Sequence, residues 1–388
     1  MAVIINGDTG IDKVVDDTIT TDDIQDGAIT AAKIASGAIP NSYAGTKNLI
    51  INGNMQIAQR GTSASGIASG NNFVLDRFIF NTGSIGTWTL SQNTDAPDGF
   101  SNSMKLQCTT ANASPTGTNW CNFQQRIEAQ NLQHLAYGTS SAKTITLSFW
   151  VKSNKTGTYT AMIYGFDSSP ARTISAEYTI SAADTWEKKT ITFAGDSSGQ
   201  IDNDNGAGFN IYWALGTGPD RQSSPLQTSW GDYDSTAFVS SSQVNLADST
   251  SNYINITGVQ LEVGDTATDF ENLQYGQQLA MCQRYFEPLI NDSLNYNGGQ
   301  IVGSSFNTTR NFVIIYMKEI KRAAPTITAS GVGGNILQNN VAKTVTGINN
   351  LYPNLYSVGL DFTASGTQGA AFHYDPSATT VITADAEL

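Results

Sequence analysis

Thr144-Ile145-Thr146-Leu147-Ser148-Phe149-Trp150-Val151 alternates polar and apolar residues, and that alternation decides the fold. Side chains on an extended chain point to opposite faces in turn, so an alternating run reads as a half-buried strand. Thr158-Tyr159-Thr160-Ala161-Met162-Ile163-Tyr164 and Lys189-Thr190-Ile191-Thr192-Phe193, nearby, are rich in the β-branched and aromatic residues that strands favour. Turn residues separate the runs: Asn154-Lys155-Thr156-Gly157, Gly195-Asp196-Ser197-Ser198-Gly199 and Asp204-Asn205-Gly206. Short strands without interposed helices predict a two-sheet sandwich over 46–270.

The whole chain agrees with an all-β class. Its 388 residues are only 14% charged and rich in Gly, enough length for two or three domains. The formal charge is -13, and no Lys/Arg-rich run concentrates positive potential, so nucleic acid is not an expected partner. The opening Met1-Ala2-Val3-Ile4-Ile5-Asn6-Gly7-Asp8 has neither the basic region nor the apolar run of a signal peptide, and no segment has the length and apolarity of a membrane span. The expectation is a protein made in a cytoplasm, without membrane insertion. Cys108, Cys121 and Cys282 cannot all pair within one chain and lack zinc-site spacing; they read as buried free thiols.

Residues 1–45 follow a different rule. Asp26-Gly27-Ala28-Ile29-Thr30 is answered ten residues on by Ser36-Gly37-Ala38-Ile39-Pro40, and Val14, Ile19, Ile24, Ile29, Ile34 and Ile39 recur every five residues. Five steps rotate by about 140° on a helix and change face on a strand, so one chain has no single face for this set. Several parallel copies would bury these residues on a shared axis and leave the seven aspartates of the segment in water. The repeat Asp-Gly-Ala-Ile-Thr-x-x-Lys-Ile-Ala resembles those near the amino termini of phage tail fibres. That resemblance implies a homotrimer whose amino terminus holds a tail or baseplate adaptor protein.

Four further stretches carry a stronger resemblance. They are Asn48-Leu49-Ile50-Ile51-Asn52-Gly53-Asn54-Met55-Gln56-Ile57-Ala58-Gln59-Arg60-Gly61, Leu75-Asp76-Arg77-Phe78, Gly258-Val259-Gln260-Leu261-Glu262-Val263-Gly264 and Gln278-Leu279-Ala280-Met281-Cys282-Gln283-Arg284-Tyr285-Phe286. In this order they resemble the signposts of a jelly-roll domain in phage tail and capsid-fibre proteins. Between them, Phe123-Gln124-Gln125-Arg126-Ile127-Glu128, Ser148-Phe149-Trp150-Val151-Lys152-Ser153 and Trp186–Phe193 are similar to carbohydrate-binding jelly-roll modules. Those modules hold a structural calcium with two acids; Gln56 and Gln260 stand at the matching positions, so no metal is expected.

Sugar-binding modules stack pyranose C–H faces on aromatic rings. The candidates are Trp88, Trp120, Tyr164, Trp213, Trp230 and Tyr233. Trp150 and Trp213 lie in apolar strands and read as packing. Trp120 and the loop pair Trp230 and Tyr233 are the better recognition candidates. No cofactor is expected, and no catalytic set stands out. His134 and His373 are the only histidines, Gly-Xaa-Ser-Xaa-Gly and a Walker loop are absent, and Asp202 and Asp204 read as a hairpin turn.

Tyr275, Leu279, Cys282, Phe286 and Leu289 are spaced four, three, four and three apart, which predicts a connecting helix over 271–289. Leu279, Cys282 and Phe286 would then either pack on the sandwich or meet their copies on the trimer axis. Residues 290–388 return to β runs, with five Lys/Arg against six Asp/Glu, and form a near-neutral distal domain. Tyr296, Tyr352, Tyr356, His373 and Tyr374 are its candidate recognition residues. The architecture expected is a trimeric fibre with an amino-terminal repeat stalk, a central jelly-roll sandwich, a short helix and a carboxy-terminal β domain. The resemblance implies a virion protein that recognises a host surface polysaccharide or envelope receptor without catalysis. A capsid or tail decoration protein without receptor binding, or a polysaccharide depolymerase tail spike, remains the alternative.

Overall fold

The structure is a computed structural model and describes residues 47–290 and 301–388, apart from 332, 339–340 and 377–379. The amino-terminal repeat with Val14, Ile19, Ile24, Ile29, Ile34 and Ile39 lies outside the described residues, as does Tyr296.

The sandwich comprises β1 (Ser63–Phe73), β2 (Phe78–Asn93), β3 (Ser103–Thr110), β4 (Trp120–Glu128), β5 (Ile145–Ser153), β6 (Gly157–Gly165), β7 (Arg172–Ile180), β8 (Glu187–Phe193), β9 (Ala207–Thr217), β10 (Gly231–Asp232) and β11 (Tyr253–Val263). They run in the order β10-β7-β6-β9-β4-β2-β3-β11-β5-β8, with β1 along β2. Strand β2 belongs to both halves: Phe78–Gly83 pairs with β4 and Thr87–Asn93 with β3. Between these stretches Ser84 and Gly86 take positive φ, and a Cβ on Gly86 would come within 2.5 Å of the Thr110 carbonyl. The chain bends there, and the sheet curls until its halves face one another.

The space between the halves is filled with apolar side chains. Ile145, Leu147, Phe149 and Val151 of β5 are buried in it, as the alternation predicts. Phe149 meets Trp213 of β9 edge-on at 5.7 Å and Tyr178 of β7 at 5.1 Å. Trp213 is core, as expected. Trp150 corrects the reading: one residue out of phase with Phe149, it takes the opposite face and lies half-buried beside Gly258. The three cysteines are buried and unpaired.

The predicted connecting helix is shorter than its apolar spacing implies. Helix α1 spans Tyr275–Gln283 behind a capping box formed by Gln274 and Gln277, and the chain then enters β12 (Phe286–Ile290). Phe286 and Leu289 are therefore strand residues, buried by their own chain and not aligned with Leu279 on a helical seam. Cys282 is wholly buried, Leu279 half-buried and Tyr275 exposed. Pro288 would break a helix at this point, and β12 gains a ladder instead.

The distal region adds β13 (Ile301–Ser305), β14 (Arg310–Tyr316), β15 (Thr326–Ser330), β16 (Gly334–Gln338), β17 (Val341–Thr344), β18 (Gly347–Pro353), β19 (Ser357–Thr363), β20 (Ala371–Pro376) and β21 (Val381–Asp385). Seven of these strands form a sheet in the order β17-β16-β20-β13-β14-β19-β18; β12, β21 and β15 form a smaller one. Val313, Val358, Leu360, Leu289 and Ile382 share the core of the distal region.

The four quoted stretches converge. The Asn48 amide donates to the Val259 carbonyl at 3.0 Å and accepts from the Leu261 N–H at 3.0 Å. Gln59 donates to the Asp76 carboxylate and to the Phe286 carbonyl. Arg60 lies 3.7 Å over the Phe286 ring, and Arg77 lies 3.4 Å over that of Tyr285. Arg60 and Arg77 also hold Glu387, beyond β21. Three of the stretches thus build one joint between sandwich and distal region, and the stretch at 258–264 ties the first of them to β11.

Candidate functional site

The strands of β4, β9, β6 and β7 present to the core every second residue, and the residues between them line the outer face of this half of the sandwich. Their register sets the layout. Arg126, Asn210, Tyr164 and Thr173 lie side by side in one row; Gln124, Tyr212, Met162 and Ser175 form the next; Asn122 and Ala214 belong to a third with Thr160 and Glu177.

A strap over 219–245 covers the third row. Its Val244 N–H donates to the Thr158 carbonyl at 2.9 Å, its Gln243 amide to the Ala214 carbonyl at 3.2 Å, and its Ser240 N–H to the Thr160 hydroxyl at 3.2 Å. Phe238 and Val239 of the strap pack on Met162 and Ala214.

In the first two rows Asn210, Thr173, Gln124, Met162 and Ser175 are buried, and the half-buried Arg126, Tyr164 and Tyr212 reach solvent above them. Tyr164 meets Phe166 at 4.8 Å and Tyr233 at 5.2 Å between ring centroids; Tyr212 meets Phe238 at 5.8 Å. Phe166 is exposed, and the Arg126 guanidinium stands 5.7 Å over its ring. Burial pushes the Tyr212 hydroxyl up to about 12, and it raises that of Tyr164 as well, so both remain neutral donors at physiological pH.

Beneath the rings lies an amide floor. The buried Asn210 amide donates to the buried Gln124 carbonyl oxygen at 2.9 Å. The Asn210 side-chain oxygen and the Arg126 Nε have no hydrogen-bond partner among the described residues. Leaving a buried polar group unpaired costs on the order of 1–3 kcal/mol, so the floor retains hydrogen-bonding capacity at the expense of stability.

The predicted residues divide. Tyr233 belongs to the aromatic cluster. Trp230, three residues before it across β10, takes the opposite face; its ring packs edge-on against Tyr137 at 5.7 Å and its N–H donates to the Ala194 carbonyl at 2.7 Å. It lines a separate open cleft of about 750 Å³ along β7, whose floor holds the Arg172–Asp196 ion pair. Trp120 lies half-buried, against Gly83 and 5.7 Å from the Arg221 guanidinium.

In the distal region Tyr352 and Tyr356 are exposed. Tyr374 is not available for recognition. It is 1% exposed in the distal core, and its hydroxyl donates to the Gly333 carbonyl at 2.9 Å. The backbone of His373 pairs opposite Val302 and Leu337, while its side chain lies outside those described. Arg126, Phe166 and Tyr212 were not among the expected site residues. For Arg126 the signal is the Asn122-x-Gln124-x-Arg126 alternation of polar side chains along β4; Tyr212 and Phe166 carry no such local signal.

Among the described residues no group of three or more His, Cys, Asp or Glu side chains is arranged to hold a metal ion. Gln260, at a position where the resembling modules place an acid, is spent inside the protein: its amide donates to Glu262 at 2.7 Å and accepts the Glu271 N–H at 2.8 Å. Asp204 closes its own turn by accepting the Gly206 N–H at 2.8 Å. No helix among the described residues is long and apolar enough to cross a membrane.

No protein family matches the sequence, and no curated protein is significantly similar to it. Solved structures are similar in fold. The enzymatically active domain of tailspike protein 4 from bacteriophage CBA120 is 18% identical over 56% of this chain, with a TM-score of 0.30. The chain spans only 21% of that domain. The family 11 carbohydrate-binding module of the cellulosomal cellulase Lic26A-Cel5E from Clostridium thermocellum is 14% identical over 52% of this chain and 98% of its own, with a TM-score of 0.28. The C-terminal family 22 module of Clostridium thermocellum Xyn10B is 11% identical over 54% and 98%, with a TM-score of 0.29. At these scores the likeness carries no functional inference.

Proposed function

We propose that this chain is a structural protein of a bacteriophage tail, a homotrimeric fibre or spike protein, whose sandwich recognises a host surface glycan without catalysis. The observation that carries the glycan reading is the partly exposed cluster of Tyr164, Phe166, Tyr212 and Tyr233 above a floor of buried amides. Ring faces accept the C–H side of a pyranose, while Arg126 and the tyrosine hydroxyls are placed to bond its hydroxyl groups. The five-residue repeat over 14–39 supports an assembly of several copies, since one chain offers it no core, and its resemblance to tail-fibre repeats supports three. Attachment to a tail or baseplate adaptor through the amino terminus is supported by the resemblance of that repeat to those of phage tail fibres.

The test is binding of the purified chain to polysaccharide extracted from a susceptible host. Tyr164→Ala with Tyr233→Ala should weaken it at least tenfold, about 1.4 kcal/mol, and light scattering should give the mass of three chains. No binding to any host polysaccharide leaves a decoration protein; release of reducing ends makes it a depolymerase.

A further inference from the structure

We propose that the distal seven-stranded sheet carries a second saccharide site, a recess for one neutral hexopyranose residue bounded by Phe306, Arg310, Phe312, Tyr352 and Asp361. It lies on different strands from the sandwich face and rests on the reading of the chain as a glycan-recognising protein.

The recess measures about 280 Å³, near the lower end of ligand pockets and fit for a single ring rather than a chain. Phe306 stands 68% exposed at the tip of the β13–β14 hairpin. That hairpin is fixed: the Asn307 side-chain oxygen accepts from the Thr309 N–H at 2.9 Å and the Arg310 N–H at 2.7 Å, and the Phe306 N–H donates to the Arg310 carbonyl at 2.8 Å. A large ring is thus held in water by a loop whose own bonds are satisfied.

Two more rings complete the walls. Phe312 lies against Gly359 of the neighbouring strand, where a Cβ would come within 2.5 Å of it. Tyr352, 49% exposed, is 6.0 Å from Phe312 between centroids and tilted by 49°. Glycine at 359 leaves the room that the Phe312 ring occupies beside it.

The Arg310 and Asp361 pair forms the polar side. Arg310 Nε donates to Asp361 Oδ2 at 3.0 Å and Nη2 donates to the same oxygen. The carboxylate is 4% exposed and the guanidinium 44%, so the recess meets N–H donors in a fixed fork whose charge is already balanced. Aromatic walls with such donors suit the C–H face and hydroxyl groups of a sugar. A balanced pair gives no net positive field for the carboxylate of an acidic sugar. The centre of a protein interface, by contrast, is depleted of charged residues.

Saturation-transfer NMR on the full chain tests the site, with methyl hexopyranosides of glucose, galactose and mannose as probes and methyl glucuronide as the anionic control. At least one neutral glycoside should bind. Phe306→Ala with Tyr352→Ala should weaken it at least tenfold, Phe306→Tyr should retain it, and the sandwich variant Tyr164→Ala with Tyr233→Ala should leave it unchanged. The proposal is overturned if the distal variant binds like the wild type or if glucuronide is preferred. It is also overturned if the variant alters the mass by light scattering but not the sugar response, which would give this face to a second copy. Binding lost only in the sandwich variant removes the distal site and leaves the glycan reading standing; no binding to any glycoside or host polysaccharide removes both.

Discussion

The sandwich and the distal sheet solve the same problem in opposite ways. In the sandwich the sheet curls on itself, so each half covers the apolar face of the other, and Trp88, Trp213 and Phe123 are wholly buried. The seven-stranded distal sheet stays open. Its inner face packs Val313, Val358 and Leu360, while its outer face leaves Val302 62%, Ile314 45% and Tyr316 75% exposed. The curled sheet spends its inner faces on each other and keeps only the ring cluster of β6 and β9 outside, whereas the open one shows its whole second face to whatever meets it.

That contrast can be broken most directly from inside. Trp213→Ala removes the ring between Phe123 and Phe149 and should cost about 4 kcal/mol, read from the urea midpoint. A loss below about 1 kcal/mol would mean that the two halves do not share one core.

The joint gives a smaller effect with a defined sign. Burial pushes the Asp76 carboxyl up to about 6, above its value in an unfolded chain. Its contribution is therefore full below about pH 4 and is lost as pH rises through about 6, on the order of 3 kcal/mol. Asp76→Asn should flatten the stability-versus-pH curve between pH 4 and pH 7; an unchanged slope would place the titration elsewhere.

The smallest effect is expected on the open face. Ile314→Ser with Tyr316→Ser should change the unfolding free energy of an isolated chain by no more than about 0.5 kcal/mol for each site. A loss of several kcal/mol would show that the face is covered.

The sandwich was legible because its strands carry period-2 signals: β5 begins and ends within two residues of Thr144–Val151, the turn at 204–206 falls between strands, and that at 154–157 runs into the first residue of β6. The site was less legible. Strands β6 and β9 are apolar on both faces, as in Met162-Ile163-Tyr164 and Tyr212-Trp213-Ala214, so alternation alone does not say which ring faces the core. Trp230 and Tyr233 sit in one loop, yet the two residues of β10 between them send them to opposite sides of the sheet. The helix was over-read because heptad spacing outweighed Pro288, a residue that marks a helix boundary. The joint, made of Arg60, Arg77, Tyr285 and Glu387, depends on contacts between distant segments that no local pattern encodes.

Strand β21 lies between β12 and β15 and pairs Asp385 with Phe286, some hundred residues away in sequence. The sandwich has closures as long, such as that of Tyr253 with Gln107, but all its strands precede the distal region, and chains fold from the amino-terminal side as they are made. On a ribosome the sandwich is therefore complete first, while Arg60 and Arg77 wait without Glu387. The small sheet closes last, and the joint between the two regions is a late event in folding, set by the arrival of one strand.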